Sequence, residues 1–210
     1  MDANGKKLYI VGTNLGNWLN PEGYMFDFKK TNCEWMINDM VCELAGPDFA
    51  REDYMGKNDE TEGFKQMDKV IDWCRKYDLH LILDMHDCLG GQTGDNIDNG
   101  HGYPWLFESE ASQQLFCQIW QKIASRYKDE PVILGYELMN EPIATMFSDS
   151  LRAALNAKLE PLYKRATNAI REVDQNHIIL LGGAQWNGNF EPFSDWKFDD
   201  KIMYTCTWAR

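Results

Sequence analysis

The segment Tyr136–Pro142 reads YELMNEP and sets an amide and an acid, Asn140 and Glu141, just beyond the apolar run Val132–Leu134. Such a run marks a buried strand. A carboxyl group near its end is partly shielded from water, which favours the protonated form. An acid of that kind can give its proton to a leaving oxygen, as breakage of a sugar–sugar bond requires. That reaction needs a second carboxylate, about 5–5.5 Å away in retaining chemistry and about 6.5–9.5 Å away in inverting chemistry. Glu137 shares a strand face with Glu141, but four residues of extended strand span roughly 13 Å. Asp87 and Glu22, on loops, are the other candidates.

Short apolar runs alternate with longer amphipathic stretches. Strands are expected at Leu8–Val11, Leu79–Met85, Val132–Leu138, His177–Leu181 and Ile202–Cys206, and helices at Cys33–Leu44, Glu62–Tyr77, Ala111–Tyr127 and Ser150–Val173. In the last helix Leu151, Leu155, Leu159, Leu162, Ala166, Ile170 and Val173 form one apolar face. Pro161 lies inside that pattern and is expected to kink it. Strands separated by helices imply parallel βαβ units. No G-x-G-x-x-G follows a strand, which argues against a dinucleotide fold. The reading is one α/β domain over residues 1–210, of the (β/α)8 TIM-barrel type but incomplete. Five strands are recognisable, where a closed barrel has eight. Between Val11 and Leu79 two helices follow one another with no apolar run between them.

In such barrels the chemistry sits at the carboxyl ends of the strands. Taken in order, those ends carry Asn14 and Glu22, then His86 and Asp87, Asn140 and Glu141, Gln185 and Trp186, and Thr207 and Trp208. Acids, amides, a histidine and aromatic rings suit a sugar. Rings stack on the apolar faces of pyranoses, while amides and carboxylates bond the hydroxyls. Each residue also has a plain structural reading. Glu141 could serve a helix dipole, His86 could bond a loop, Glu22 could be solvated in its Pro-Glu-Gly turn, and Trp105 could anchor a loop rather than support a sugar.

Composition narrows the partners. The net charge of −12 argues against nucleic acid. No apolar run approaches the roughly 20 residues of a membrane span. The N-terminal MDANGKKLYIVG lacks the apolar core of a signal peptide, which leaves location open between the cytoplasm and export with the leader removed. The six cysteines show no metal-ligand spacing and read as buried free thiols. The loop GDNIDNGHG is like a calcium loop in composition only, because Asp95 and Asp98 do not fall at alternate positions. No metal and no cofactor is expected.

Three stretches, GTNLGNWLNPEGY (Gly12–Tyr24), LDMHDCLGGQ (Leu83–Gln92) and YELMNEP, with support from HIILLGGAQW (His177–Trp186), carry a family resemblance. The chain resembles family 5 of the glycoside hydrolases, which are retaining β-glucanases on a (β/α)8 barrel. Its motifs look closest to the branch with exo-β-1,3-glucanases and related glucosidases. The resemblance implies a β-glucan or oligosaccharide substrate. It implies that Glu141 is the general acid/base and that Asn140 holds the sugar 2-hydroxyl. His86 and Glu22 would then contact the sugar at the cleavage point. Asn14 and Trp186, read from their residue types at other strand ends, are the further candidates for substrate binding.

The chain also departs from the family pattern. The second strand, ending in an arginine that supports the catalytic carboxylate, is not found. Where the sixth strand carries His-x-Tyr, this chain has TCTWAR, with Thr207 and Ala209 at those places. The strand bearing the nucleophilic glutamate would lie beyond Arg210. Impaired turnover is therefore expected, and a sugar-binding remnant is the alternative. Open barrel edges are expected to favour a homo-oligomer.

Overall fold

The computed structural model describes residues 10–15, 21–45, 60–98, 100–195 and 197–206. Among them are the strands β1 (Leu81–Asp84), β2 (Ile133–Glu137), β3 (Ile178–Gly182) and β4 (Ile202–Thr205). They form one parallel sheet in the order β1-β2-β3-β4. Consecutive strands lie side by side, as right-handed crossovers dictate. The helices are α1 (Glu34–Ala45), α2 (Glu60–Tyr77), α3 (Glu110–Tyr127) and α4 (Asp149–Arg171). Four of the five expected strands are thus present, three of them a little shorter than their apolar runs and β3 shifted by one residue.

The strand expected at Leu8–Val11 is not borne out where it can be seen. Leu8 lies outside the described residues, and Ile10 and Val11 are exposed and belong to no regular element. An apolar run becomes a strand only when a neighbour takes up its backbone groups. Helix α4 continues through Pro161, so the proline does not end it.

The core lies between the sheet and its helices. Helix α3 contributes Phe116, Trp120, Ala124 and Tyr127, and α4 contributes Leu155, Leu159, Leu162, Tyr163, Ala166 and Ile170. Both helices start on serine caps. Ser109 accepts the Ser112 N–H at 3.2 Å, and Ser148 accepts the Leu151 N–H at 3.4 Å. Each helix also tethers the end of a strand. The Trp120 indole donates to the Leu138 carbonyl at 3.0 Å, and the Tyr163 hydroxyl donates to the Gly182 carbonyl at 3.0 Å. Those carbonyls immediately precede the functional loops after β2 and β3. The packed core therefore sets where the loops begin.

Candidate active site

Because the strands are parallel, their carboxyl ends share one rim. Asp84 closes β1, Glu137 closes β2, Gly182 closes β3 and Thr205 closes β4. The loops beyond carry His86, then Asn140 and Glu141, then Gln185 and Trp186.

His86 is the hub. Its Nδ1 lies 2.9 Å from Asp84 Oδ2, and its Nε2 lies 3.4 Å from Glu22 Oε1 and 3.4 Å from Asn140 Nδ2. Burial opposes a charge on the ring, but the hydrogen bonds and charges of Asp84 and Glu22 outweigh it and push His86 up to about 10. At neutral pH the ring is an imidazolium, and both of its nitrogens donate. Two N–H groups cannot bond each other, so a charged His86 calls for the Asn140 amide to turn its oxygen toward the ring. Its NH2 then faces away from His86, free to donate to a hydroxyl.

Glu22 reaches His86 from a separate segment. It precedes the single helical turn Gly23–Phe26 and is buried. Gly23 is needed beside it, because a Cβ there would lie 2.1 Å from the Thr31 carbonyl oxygen. The Tyr24 hydroxyl bonds Glu22. Its pKa is raised by burial, by Glu22 and by the charge of Glu141, so the three groups share one side of the site.

Glu141 is half-buried and has φ 45°, and Ile143, two residues on, has φ 59°. Left-handed backbone at residues other than glycine is strained and concentrates at functional sites. The strand ends at Glu137, so the extended spacing assumed from the sequence does not continue to Glu141. The charge of Glu141 is felt at Glu137. Burial, Asp84 and Glu141 together push Glu137 up to about 7, against a hydrogen bond from Thr205 Oγ1 at 3.0 Å.

Beyond β3, Gln185, Trp186 and Asn187 have φ 51°, 62° and 61°, a left-handed turn. Side chains pin it. Gln185 Nε2 donates to Asn156 Oδ1 at 2.9 Å, and Trp186 Nε1 donates to Thr145 Oγ1 at 3.1 Å. The second bond ties the turn to the Glu141 loop. Gly182 makes room for it, since a Cβ there would lie 2.1 Å from Asn187 Oδ1.

The structure thus gathers Glu22, His86 and Asn140 in direct contact, with Glu141 beside them and Trp186 on the adjoining loop. It leaves two candidates apart. Asn14 is exposed and outside any regular element. Asp87 turns toward Glu34 and Asp98, and burial with those like charges pushes it up to about 7. Thr207 and Trp208 lie outside the described residues. Trp105 is exposed and packs on Tyr103 with ring centroids 4.8 Å apart.

Asp98 accepts the N–H groups of Thr93 and Gly94 and the Thr93 hydroxyl, so its Oδ2 is committed to its own loop. No group of three or more metal-binding side chains is present among the described residues. Reading the sequence overlooked Asp84, Tyr24 and Thr145. Of these only Asp84 left a signal, in that a strand residue two places before His86 points to the same face.

Comparisons with known proteins bear on the fold and the family. The sequence model of the cellulase family, glycosyl hydrolase family 5, matches residues 1–206. The chain is similar to endoglucanase C of Acetivibrio thermocellus, with 31% identity covering 93% of this chain and 56% of that protein. It is also similar to a beta-xylosidase of Phanerodontia chrysosporium, with 26% identity covering 93% of this chain and 47% of that protein. The chain spans about half the length of the curated relatives it matches. Its fold matches the endoglucanase Cel5A of Thermotoga maritima with a TM-score of 0.58 at 24% identity, covering 94% of this chain and 59% of that one. With a family match running from residue 1 to residue 206, this chain belongs to the cellulase family, glycosyl hydrolase family 5.

Proposed function

We propose that these residues form the acid/base side of a β-glucan hydrolase site, acting on O-glycosyl bonds. The contact of His86 with Asp84, Glu22 and Asn140, on the rim that also carries Glu141, supports this reading most directly. Glu141 protonates the leaving oxygen. Asn140 bonds the sugar 2-hydroxyl, and the charged His86 with Glu22 holds hydroxyls at the cleavage point. Trp186 offers an aromatic face to a pyranose.

Retaining hydrolysis needs a second carboxylate about 5–5.5 Å from the first. Among the described residues Glu22 and Glu137 are the acids tied electrostatically to the Glu141 side of the rim. Glu22 is paired with the charged His86, and Glu137, raised to about 7, is partly protonated at neutral pH, so each is a weakened nucleophile, and slow turnover with retained binding is expected.

Hydrolysis of an aryl β-glucoside and of a soluble β-glucan, beside the Glu141→Gln variant, tests the proposal. Slow hydrolysis that Glu141→Gln lowers at least about 100-fold supports it. Binding without turnover by either protein favours a sugar-binding role. Turnover at an ordinary rate of about 1–10³ per second, lost in Glu22→Gln or Glu137→Gln, would assign the second carboxylate. A protein that neither binds nor cleaves β-glucan would overturn the reading.

A further inference from the structure

Gln92 is a polar residue with no exposed surface. It lies beyond β1, and its side-chain hydrogen-bonding groups are engaged. Oε1 accepts the Cys88 N–H at 3.1 Å, while Nε2 donates to the His86 carbonyl at 2.8 Å and to the Asn140 carbonyl at 3.1 Å. An amide NH2 has two donors, and both are used. The backbone carbonyl of Gln92 accepts the Ile143 N–H at 2.9 Å. One residue therefore joins the His86 loop to the Asn140–Ile143 loop.

The bonded atoms are the ones that set the site. The Asn140 carbonyl and the Glu141 N–H belong to one peptide plane, so fixing that carbonyl orients the chain entering Glu141. The Ile143 N–H lies at the other strained residue. Left-handed backbone at φ 45° and 59° persists only where its surroundings over-determine it, and the two bonds from Gln92 bracket this pair. A hydrophobic side chain of similar volume would fill the space but leave two carbonyls and an N–H unanswered.

We propose that Gln92 is a positioning residue whose side-chain amide clamps the His86 loop to the Asn140–Glu141 peptide and so sets the geometry of the acid and its neighbours. This deepens the functional reading above and rests on it for its meaning in catalysis.

The test uses the whole chain and reads the clamp separately from turnover. In the unmodified protein the Cys88 and Ile143 amides should exchange with solvent as slowly as those of β2. Exchange at the rate of an exposed loop overturns the proposal. In Gln92→Leu the far-UV circular dichroism should be unchanged, while the 15N signals of the His86 ring and the 13C signal of the Glu141 carboxyl move. Affinity for cellotetraose should fall about tenfold or more, and any measurable kcat should fall up to about 100-fold with KM changed less. Unmoved His86 and Glu141 signals overturn the proposal.

Gln92→Glu supplies a second variant. Ionised, it cannot donate to either carbonyl; protonated, it can donate to one. Its His86 and Glu141 signals should therefore return toward those of the unmodified protein as pH falls, relative to Gln92→Leu at the same pH. No such return overturns the proposal. If Gln92→Leu does not fold, the exchange rates and the Gln92→Glu titration decide. If the unmodified chain neither binds nor cleaves β-glucan, the functional reading fails while these spectra still decide the clamp.

Discussion

Histidine meets carboxylate at both ends of this sheet, and the two meetings differ. At the amino end His177 Nδ1 lies 2.5 Å from Asp174 Oδ2 and Nε2 lies 3.0 Å from the Glu130 carbonyl oxygen. The Tyr136 hydroxyl donates to the same Asp174 oxygen at 2.8 Å, and the N–H groups of Asn176 and His177 donate to the other at 2.8 and 3.2 Å. The side chains of His177 and Asp174 are 7% and 0% exposed. At the carboxyl end His86 also meets acids, but its side chain is 39% exposed and its neighbours are crowded by like charge. Glu137 is raised to about 7 there, and Glu141 sits on strained backbone. Residue types are shared between the two clusters. Saturation and access are what separate a structural cluster from a site that can accept a ligand.

The largest effect should come from the amino end. Asp174→Ala removes a buried acceptor of several hydrogen bonds and strands their donors. It is expected to destabilise the fold by about 3–5 kcal/mol in urea or thermal unfolding. His86→Ala should cost less, about 1–2 kcal/mol, since the ring is 39% exposed although its partner Glu22 is buried, yet it should abolish β-glucan binding. Equal stability losses from the two variants would erase the distinction.

A smaller effect is expected at Asp87. Burial, Asp98 and Glu34 raise its folded pKa to about 7, above its ordinary 3.8. The folded state then holds more protons than the unfolded one between those values. The native charge state therefore costs stability as pH rises from about 4 to 7, and the cost is complete above 7. Asp87→Asn should stabilise the protein at pH 8 by about 1–2 kcal/mol after solvent screening is discounted, and scarcely at all below pH 4. Melting curves at the two pH values check this.

The two histidine clusters should also fail at opposite extremes of pH. His86 is raised to about 10 from 6.5, so its contribution is present in full below about 6.5 and fades as pH rises through about 10. Asp174 is lowered from 3.8: burial works against this, but the N–H groups of Asn176 and His177 and the side chains of Tyr136 and His177 prevail. Its contribution is present above 3.8 and is lost as pH falls through its lower folded value. Amide exchange should show the carboxyl rim loosening first in alkali and the amino rim first in acid.

The smallest effect concerns Thr145. Thr145→Val removes the partner of the Trp186 indole, a single bond at 3.1 Å with one exposed end. About 0.5–1 kcal/mol of stability should be lost, together with a change in tryptophan fluorescence. If neither changes, the bond between the loops after β2 and β3 is not holding Trp186.

Most of the framework was legible in the sequence. The apolar runs at Leu79, Val132, His177 and Ile202 became neighbouring parallel strands, the first three each preceded by an amphipathic helix whose apolar face must be covered. The helix bounds lay within a few residues of those expected, because periodicity and serine caps are local signals. The run Leu8–Val11 looked like the others. Composition says that a segment can be a strand, whereas a paired neighbour decides that it is one. Of the candidate site, Glu141, Asn140 and His86 were readable from residue type and place after a strand, and Glu22 from residue type alone. Gln92 was visible only as the last letter of a motif, with nothing to show that its amide faces two carbonyls.

By itself, the order of residues determined the parallel βαβ framework and which side chains stand at its carboxyl rim. Those outcomes follow from hydrophobic period and local backbone preference. Only the tertiary structure decided that Glu22 reaches His86 from a distant segment, that Asp87 turns away toward Glu34, and that Glu141 sits on left-handed backbone. Only it decided that His177 is sealed while His86 stays open. These outcomes depend on which groups meet across loops and how much water remains between them. Distances in space and local dielectric set those terms, and neither is written in the spacing of residues along the chain.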